Sequence, residues 1–357
     1  MSVTIDNFNT VKDGMSVSDY INFDIRGTKE SGLDKSIVNA IRRTMLSDIP
    51  SVAFRVERTN NDIEFTLNKS SLHNEFILDR IALIPLSIDP DTYYKNEYLF
   101  KLNVKNDQTK PINQITSKDF EIYKMKDSIK GRDIDIREES NYDVLYDTAK
   151  DDILKPFEYT YNGTKKREYC IITELRSNNV SGDLYSNEEI SLFGTPSIST
   201  ASENAAWMVV SNSTYVFKVD DARLKSAIVE QRIIHKDFSE DEFMICEGER
   251  FYHLDDKMQP YYYNFSIEKV GFYDCKTIFI KGCEILMKRI REFNNQLDLI
   301  NTPECRVKIY ESGTIKDGHA LTVDQETDTL GSIIQAHIVK NYIEEDREDS
   351  PIMFCGY

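Results

Sequence analysis

The sequence predicts an α+β fold in which a module of strands feeding amphipathic helices is interrupted by a β-rich insert and followed by a second, smaller α/β module. Three observations carry this prediction. Two short helices lie close together in "VNAIRRTMLSDIPSVAF" (38–54) and "NKSSLHNEFILDRIALIPL" (68–86), each ending on a proline. From about 87 to 250 the texture changes to short strands separated by long polar stretches. Around 261 regular elements return, and from 305 onward the chain runs strand, strand, helix, the order already met near the start. The corresponding division is 15–86 with 251–300 as one discontinuous module, 87–250 as the insert and 301–357 as the second module.

"DYINFDIR" (19–26) alternates through Ile21, Phe23 and Ile25 and reads as a half-buried strand. After the loop "TKESG", Leu33, Ile37, Ile41 and Met45 recur every four residues, widened by Val38 and Leu46, which predicts a helix from Leu33 to Asp48 stopped by Pro50. "SVAFRVE" (51–57) and "IEFTL" (63–67) alternate as strands, with "RTNND" as a hairpin turn between them. The second helix covers about 73–82 and is closed by Pro85. In the insert, strands are expected at 97–104, 119–125, 169–175 and 214–220, and the charged stretch 126–167 as loops and marginal strands. "YYYNFSIEKVG" alternates through Tyr263, Phe265 and Ile267, and a long helix follows at 277–297 with Ile278, Cys283, Leu286, Ile290, Phe293 and Leu297 on one face. "NTPE" is the joint to the tail, where strands "CRVKIYES" and "HALTVD" flank a turn and precede the helix 329–345.

Composition narrows the function classes. The 357 residues carry 44 Lys and Arg against 61 Asp and Glu, a net charge of −17, which argues against a chain that wraps a nucleic-acid backbone by itself. The six cysteines (Cys170, Cys246, Cys275, Cys283, Cys305 and Cys355) form no CxxC pair and read as reduced thiols. The opening is polar and no run approaches a membrane span, so a cytosolic or nuclear compartment is expected. The Asn-x-Ser/Thr triplets at 162 and 212 then read as chance matches.

A search for chemistry returns little. Asp133 and Asp135 form a DxD that could hold Mg²⁺, against the plainer reading of a solvated strand edge. His73, His235, His253, His319 and His337 lie far apart with no metal-ligand spacing. There is no nucleophile elbow and no phosphate loop. Arg42 and Arg43 in mid-helix are either a solvated cationic face or a protein–protein contact, since Arg is enriched among interface anchors.

The two proline-ended stretches resemble the signatures of the alpha-like subunits of multisubunit RNA polymerases: bacterial alpha, its archaeal counterpart and the third subunit of polymerase II. Asn39, Arg42, Arg43, Leu46 and Pro50 match the first, and Asn68, Glu75, Arg80, Ile84, Pro85 and Leu86 the second, with departures at Leu78, Asp79 and Ala82. Ala206 and Trp207 match a later family stretch. In the tail, Thr329, Leu330 and Gly331 resemble the hallmark of the small alpha-like partner, the eleventh subunit of polymerase II or its archaeal counterpart, while Asp328 and Ser332 depart from it. Both partners in one chain is an arrangement associated with large nucleocytoplasmic DNA viruses.

The resemblance implies a non-catalytic assembly platform. Asn39, Arg42, Arg43, Glu75 and Arg80 would meet other subunits, and Ile37, Ile41 and Met45 would pair within the chain with Leu330, Ile334 and Ile338. The implied partners are two large catalytic subunits and the small platform subunits, with DNA reached only through the complex and no membrane contact. The implied location is the cytoplasmic viral factory and the virion. No cofactor is expected, since only Cys170 and Cys246 fall between 87 and 250, too few for a four-cysteine cluster. Two rival readings are a Mg²⁺-dependent enzyme built on Asp133 and Asp135, and a module that caps a polymerase from outside. "PIMFCGY" resembles the start of a further family strand, so a longer natural product or a second polypeptide is expected to complete the tail module.

Overall fold

Two sheets, each with its own apolar core, organise the chain. The structure is a computed structural model and describes residues 3–11, 20–57, 59–106, 111–130, 135–177, 187–234, 238–300, 302–313, 315–343 and 352–357. Strands β1 (Thr4–Val11) and β2 (Tyr20–Arg26) pair antiparallel, with a bulge between Asp6 and Asn9 where Asn7 takes φ 56°. Helix α1 (Lys35–Ser47) begins two residues after Leu33 because the Asp34 carboxylate accepts the Ser36 amide at 2.7 Å and fixes the cap there. Then come β3 (Ser51–Ala53), β4 (Ile63–Asn68), α2 (Asn74–Ala82), β5 (Tyr98–Lys105), β6 (Ile112–Thr116), β7 (Glu121–Met125), β8 (Tyr142–Val144) and α3 (Asp147–Leu154). β9 (Phe157–Tyr161), β10 (Thr164–Glu168), β11 (Ile171–Arg176), β12 (Glu189–Gly194), β13 (Ser197–Ser199) and β14 (Val210–Phe217) follow. The last part holds α4 (Asp221–Ile234), α5 (Glu240–Glu247), β15 (Tyr262–Lys269), α6 (Cys275–Asp298), β16 (Val307–Glu311), β17 (His319–Val323) and α7 (Asp328–Ile338).

The first sheet has the order β1-β2-β15-β14 and is antiparallel throughout. Its inward side chains Ile21, Phe23, Ile25, Tyr263, Phe265 and Ile267 pack with Val38 and Met45 of α1 and Ile278 of α6. The second sheet has the order β4-β12-β5-β7-β8. Its core gathers Ile63, Phe100, Leu102, Ile122, Ile190 and Leu192 with Ile77 and Ile81 of α2, so the second proline corner belongs to this body. α1 and α2, close neighbours in sequence, therefore serve different cores.

Several local expectations are corrected. β3 and β4 do not form a hairpin: β3 pairs with β13 and β4 with β12, because Val52 and Ile63 reach their core through different partners. The extended stretch read at 214–220 begins at Val210 and pairs with β15, which puts β14 in the first sheet and not with the other strands of 87–250. Helices α3, α4 and α5 occupy stretches read as loops or strands. α4 buries only Leu224 and Ile228 and exposes Val229, Ile233 and Ile234, so its sequence carries no clean apolar stripe. α6 starts at Cys275, two residues before 277, because Asp274 accepts the Thr277 amide at 2.6 Å.

In the tail β16 and β17 form the hairpin read around "YESGTIKDGH". α7 ends at Ile338 and passes into a π-helical turn, Val339–Ile343, so the α-helix is shorter than 329–345; residues 344 and 345 lie outside the described residues. Residues 352–357 form no strand and lie along α7 instead. Gln335 Nε2 donates to the Cys355 carbonyl at 3.3 Å, Ser332 Oγ to Tyr357 Oη at 2.6 Å, and the Tyr357 ring sits over Gly331. Among the described residues no helix is long and apolar enough to cross a membrane.

Candidate functional site

The residues expected to pair within the chain stand on two of three helices that share a junction. α1 lies against both α6 and α7. The α1–α6 approach is close at Gly282, where a Cβ would stand 2.7 Å from Met45 Cγ and 3.7 Å from the Ile41 carbonyl oxygen. Met45 is fully buried there, Ile37 and Ile41 are half-buried, and on α7 Leu330 is buried with Ile334 and Ile338 half-buried. One cation ties the three elements together. Arg289 of α6 donates Nη1 to Asp48 Oδ2, just past the end of α1, at 2.6 Å, and forms an ion pair with Glu326, just before α7, at 3.4 Å. The sequence reading missed Arg289 because its partners lie far away in the chain; only the carboxylate at the helix end was a signal.

The far end of α7 is held by a polar clasp. Lys340 Nζ donates to the Ser31 carbonyl at 3.0 Å, and Lys257 Nζ donates to the Lys340 carbonyl at 3.0 Å. Gly32 takes φ +63° between them, and a Cβ there would stand 2.5 Å from Asp255 Oδ2 and 3.2 Å from Lys340 Nζ. Asp255 is itself buried, and its Oδ1 accepts the Lys257 and Gln259 amides at 3.0 and 2.8 Å. Between α1, α7 and this loop lies a cleft of about 500 Å³ bordered by Asn39, Tyr215 and Gln335.

The predicted subunit-contact residues divide between the two bodies. Asn39, Arg42 and Arg43 stand on α1; Arg42 Nε donates to Asn39 Oδ1 at 2.9 Å and Arg43 is exposed. Neither guanidinium forms an ion pair among the described residues. Glu75 is exposed in the first turn of α2, where its charge suits the helix dipole. Arg80 is partly committed to the fold, since Nη1 donates to the Ile172 carbonyl of β11 at 3.0 Å.

A second clasp, unforeseen apart from its tryptophan, holds the end of α1. Arg55 bonds Glu203 through Nε at 2.7 Å and Nη2 at 3.3 Å, and its guanidinium lies 5.4 Å from the Trp207 ring. Trp207 is buried and donates Nε1–H to the Ser197 carbonyl at 3.1 Å, while Ser202 donates to the Ser47 carbonyl at the last turn of α1. The hydrogen bonds from Arg55 and then Ser199 hold the Glu203 carboxyl below its usual range. On the outer face of the first sheet, burial acts to raise the pKa of Asp24, but donors from Asn264, Asn7 and Lys218 outweigh it and hold the carboxyl below the ordinary value.

Among the described residues the candidate metal residues do not converge. Asp133 and His235 lie outside the described residues. Asp135 is an exposed turn residue whose Oδ1 accepts the Arg137 amide at 2.9 Å. Among the described residues no group of three or more His, Cys, Asp or Glu side chains is placed to hold a metal ion.

Residues 28–290 match the family model of the RNA polymerase Rpb3/Rpb11 dimerisation domain. Similar relatives include subunit 3B of DNA-directed RNA polymerases IV and V from Arabidopsis thaliana, 38% identical over 85 residues, 24% of this chain and 23% of that one. The RPAC1 subunit of DNA-directed RNA polymerases I and III from Saccharomyces cerevisiae is 42% identical over 59 residues, 16% of either chain. DNA-directed RNA polymerase subunit Rpo3 from Thermococcus kodakarensis is 42% identical over 57 residues, 16% of this chain and 20% of that one. The matched segments thus span less than a quarter of these relatives' length.

Proposed function

This chain belongs to the RNA polymerase Rpb3/Rpb11 dimerisation family, and from that premise we propose that it is a non-catalytic assembly platform of a DNA-directed RNA polymerase, with two alpha-like halves joined in one chain. The observation that carries the reading is the position of α1. The helix bearing the family-like Asn39-Ala40-Ile41-Arg42-Arg43 run touches both the long helix α6 and the tail helix α7. Each half alone would leave part of an apolar stripe in water, and contact between helices removes it. Joining the halves makes the pairing intramolecular, at an effective concentration on the order of millimolar for a short connection.

In this reading the paired halves seat two large catalytic subunits, with small subunits completing the platform. DNA is reached only through the complex, and the chain itself supplies no cofactor. Arg42 and Arg43, which form no ion pair among the described residues, are the contacts we assign to a large subunit, because bidentate guanidinium groups suit an interface carboxylate. The fused arrangement supports a viral polymerase of the large nucleocytoplasmic DNA virus type, working in the cytoplasmic viral factory and carried in the virion.

The test is purification of the tagged chain from its native source. Two very large chains at equal stoichiometry, with RNA synthesis in the same fraction, are expected. A chain recovered alone refutes the platform. A chain recovered in substoichiometric amounts from an already active polymerase makes it an external cap.

A further inference from the structure

We propose that the free edge of β1 is a docking site for an extended segment of another polypeptide, added as a further strand with a bulky apolar side chain seated beside Ile280. The inference rests on the chain being an assembly subunit. β1 is the terminal strand of its sheet, and among the described residues it pairs with β2 alone. Its outer row of N–H and C=O groups is therefore a template for one more strand.

A second, independent feature lies directly beside that edge. A cleft of about 260 Å³ opens on the helix side of the sheet, bordered by Ile5, Phe8, Phe23, Phe279, Ile280 and Lys276. The cleft exists because the core layer runs outward from Ile25 and Phe23 into Ile5 and Phe8 and then stops. Ile5, Phe8 and Ile280 are left 40%, 47% and 54% exposed. Adjacent strands lie about 4.8 Å apart and alternate side chains share a face. A strand added to β1 would place every second side chain in the layer of Ile5 and Phe8, over Ile280. The edge supplies main-chain pairing and the cleft supplies a side-chain pocket, the two components of strand-addition recognition.

The bulge shapes this surface. Asn7, at φ 56°, turns Phe8 onto the same side as Ile5, where its ring stacks on Phe23 at 5.3 Å. Bulges re-aim side chains in this way and also limit long, flat pairing at an edge, so the added strand is short. Charge narrows the partner further. Lys276 Nζ stands over the Phe8 ring at 5.0 Å, at the rim of the cleft, and forms no ion pair among the described residues. The fitting segment carries an Asp or Glu next to its bulky apolar residue.

The experiment uses the full chain, free and within its purified assembly. Amide hydrogen exchange across residues 4–11 is expected to slow at least tenfold in the assembly relative to the free chain. The photoreactive analogue p-benzoylphenylalanine in place of Phe8 is expected to crosslink to another polypeptide of the complex. Ile280→Asp, at an exposed position, should abolish the crosslink while the chain still enters the assembly. Unchanged exchange at 4–11, or a crosslink confined to this chain or to a second copy of it, overturns the inference and leaves the platform reading standing. A chain that enters no assembly overturns both.

Discussion

Gly282→Ala tests the closest approach in the helix junction. The added Cβ would stand 2.7 Å from Met45 Cγ, where carbon atoms settle at about 3.5–4.0 Å. Met45 is fully buried, so it has no solvent side to retreat into, and α1 must shift or the side chain must leave its rotamer. Overpacking of this kind costs about 1–3 kcal/mol. Replacing glycine inside a helix returns about 1 kcal/mol of propensity. The expected net effect is a loss of about 1 kcal/mol, and Gly282→Val, with more bulk and less helix propensity, should lose about 3 kcal/mol. Met45→Ala alone should cost about 2–5 kcal/mol through the cavity it leaves. In the double variant the new methyl group on α6 moves into that space, so the two losses should fall short of their sum by about 1–2 kcal/mol. Urea unfolding followed by the fluorescence of Trp207, the single tryptophan, reads all four corners of the cycle. If Gly282→Ala stabilises the chain and shows no coupling to Met45, the close packing of α1 on α6 is wrong.

Three further outcomes are expected. Arg42→Ala with Arg43→Ala should weaken recovery of the large polymerase chains at least tenfold while the melting temperature moves by less than about 2 °C, since surface substitutions stay within about 0.5 kcal/mol; unaltered recovery would remove both residues from the interface. Gly32→Ala forces a side chain into a φ of +63° and against Asp255 and Lys340, so hydrogen exchange across 328–343 should accelerate, with little change in 20–26; equal protection of 328–343 in the variant and the wild type would show that the clasp does not hold the tail. Asp24 has a folded pKa below its ordinary 3.8, so its stabilising contribution is complete above that value and is lost as pH falls through the lower folded value. Acid titration below about pH 4 should therefore destabilise the wild-type chain more steeply than Asp24→Asn, and parallel acid curves would exclude Asp24 as a contributor.

Local pattern alone determined the helices that carry full apolar stripes. Leu33, Ile37, Ile41 and Met45 announced α1, and the run from Ile278 to Leu297 announced α6, because a helix that buries one face must repeat apolar residues near 3.6. Alternation likewise marked β2 and β15, whose inward residues Ile21, Phe23, Ile25, Tyr263, Phe265 and Ile267 all reach the core. The resemblance carried by Asn39, Arg42, Arg43, Glu75 and Arg80 pointed to the family that residues 28–290 match. Partner choice was a different matter. Whether β3 pairs with β4 or β13, whether β14 joins β15, and that α1 and α2 serve separate cores depend on contacts between residues far apart in the chain, which no local period encodes. The same holds for Arg289, which reads as one more helix-surface cation until Asp48 and Glu326 arrive from distant segments. α4 and α5 escaped sequence reading because few of their residues are buried, so there was little apolar pattern to read. A sequence declares which faces must leave water; only the folded chain decides what each face meets.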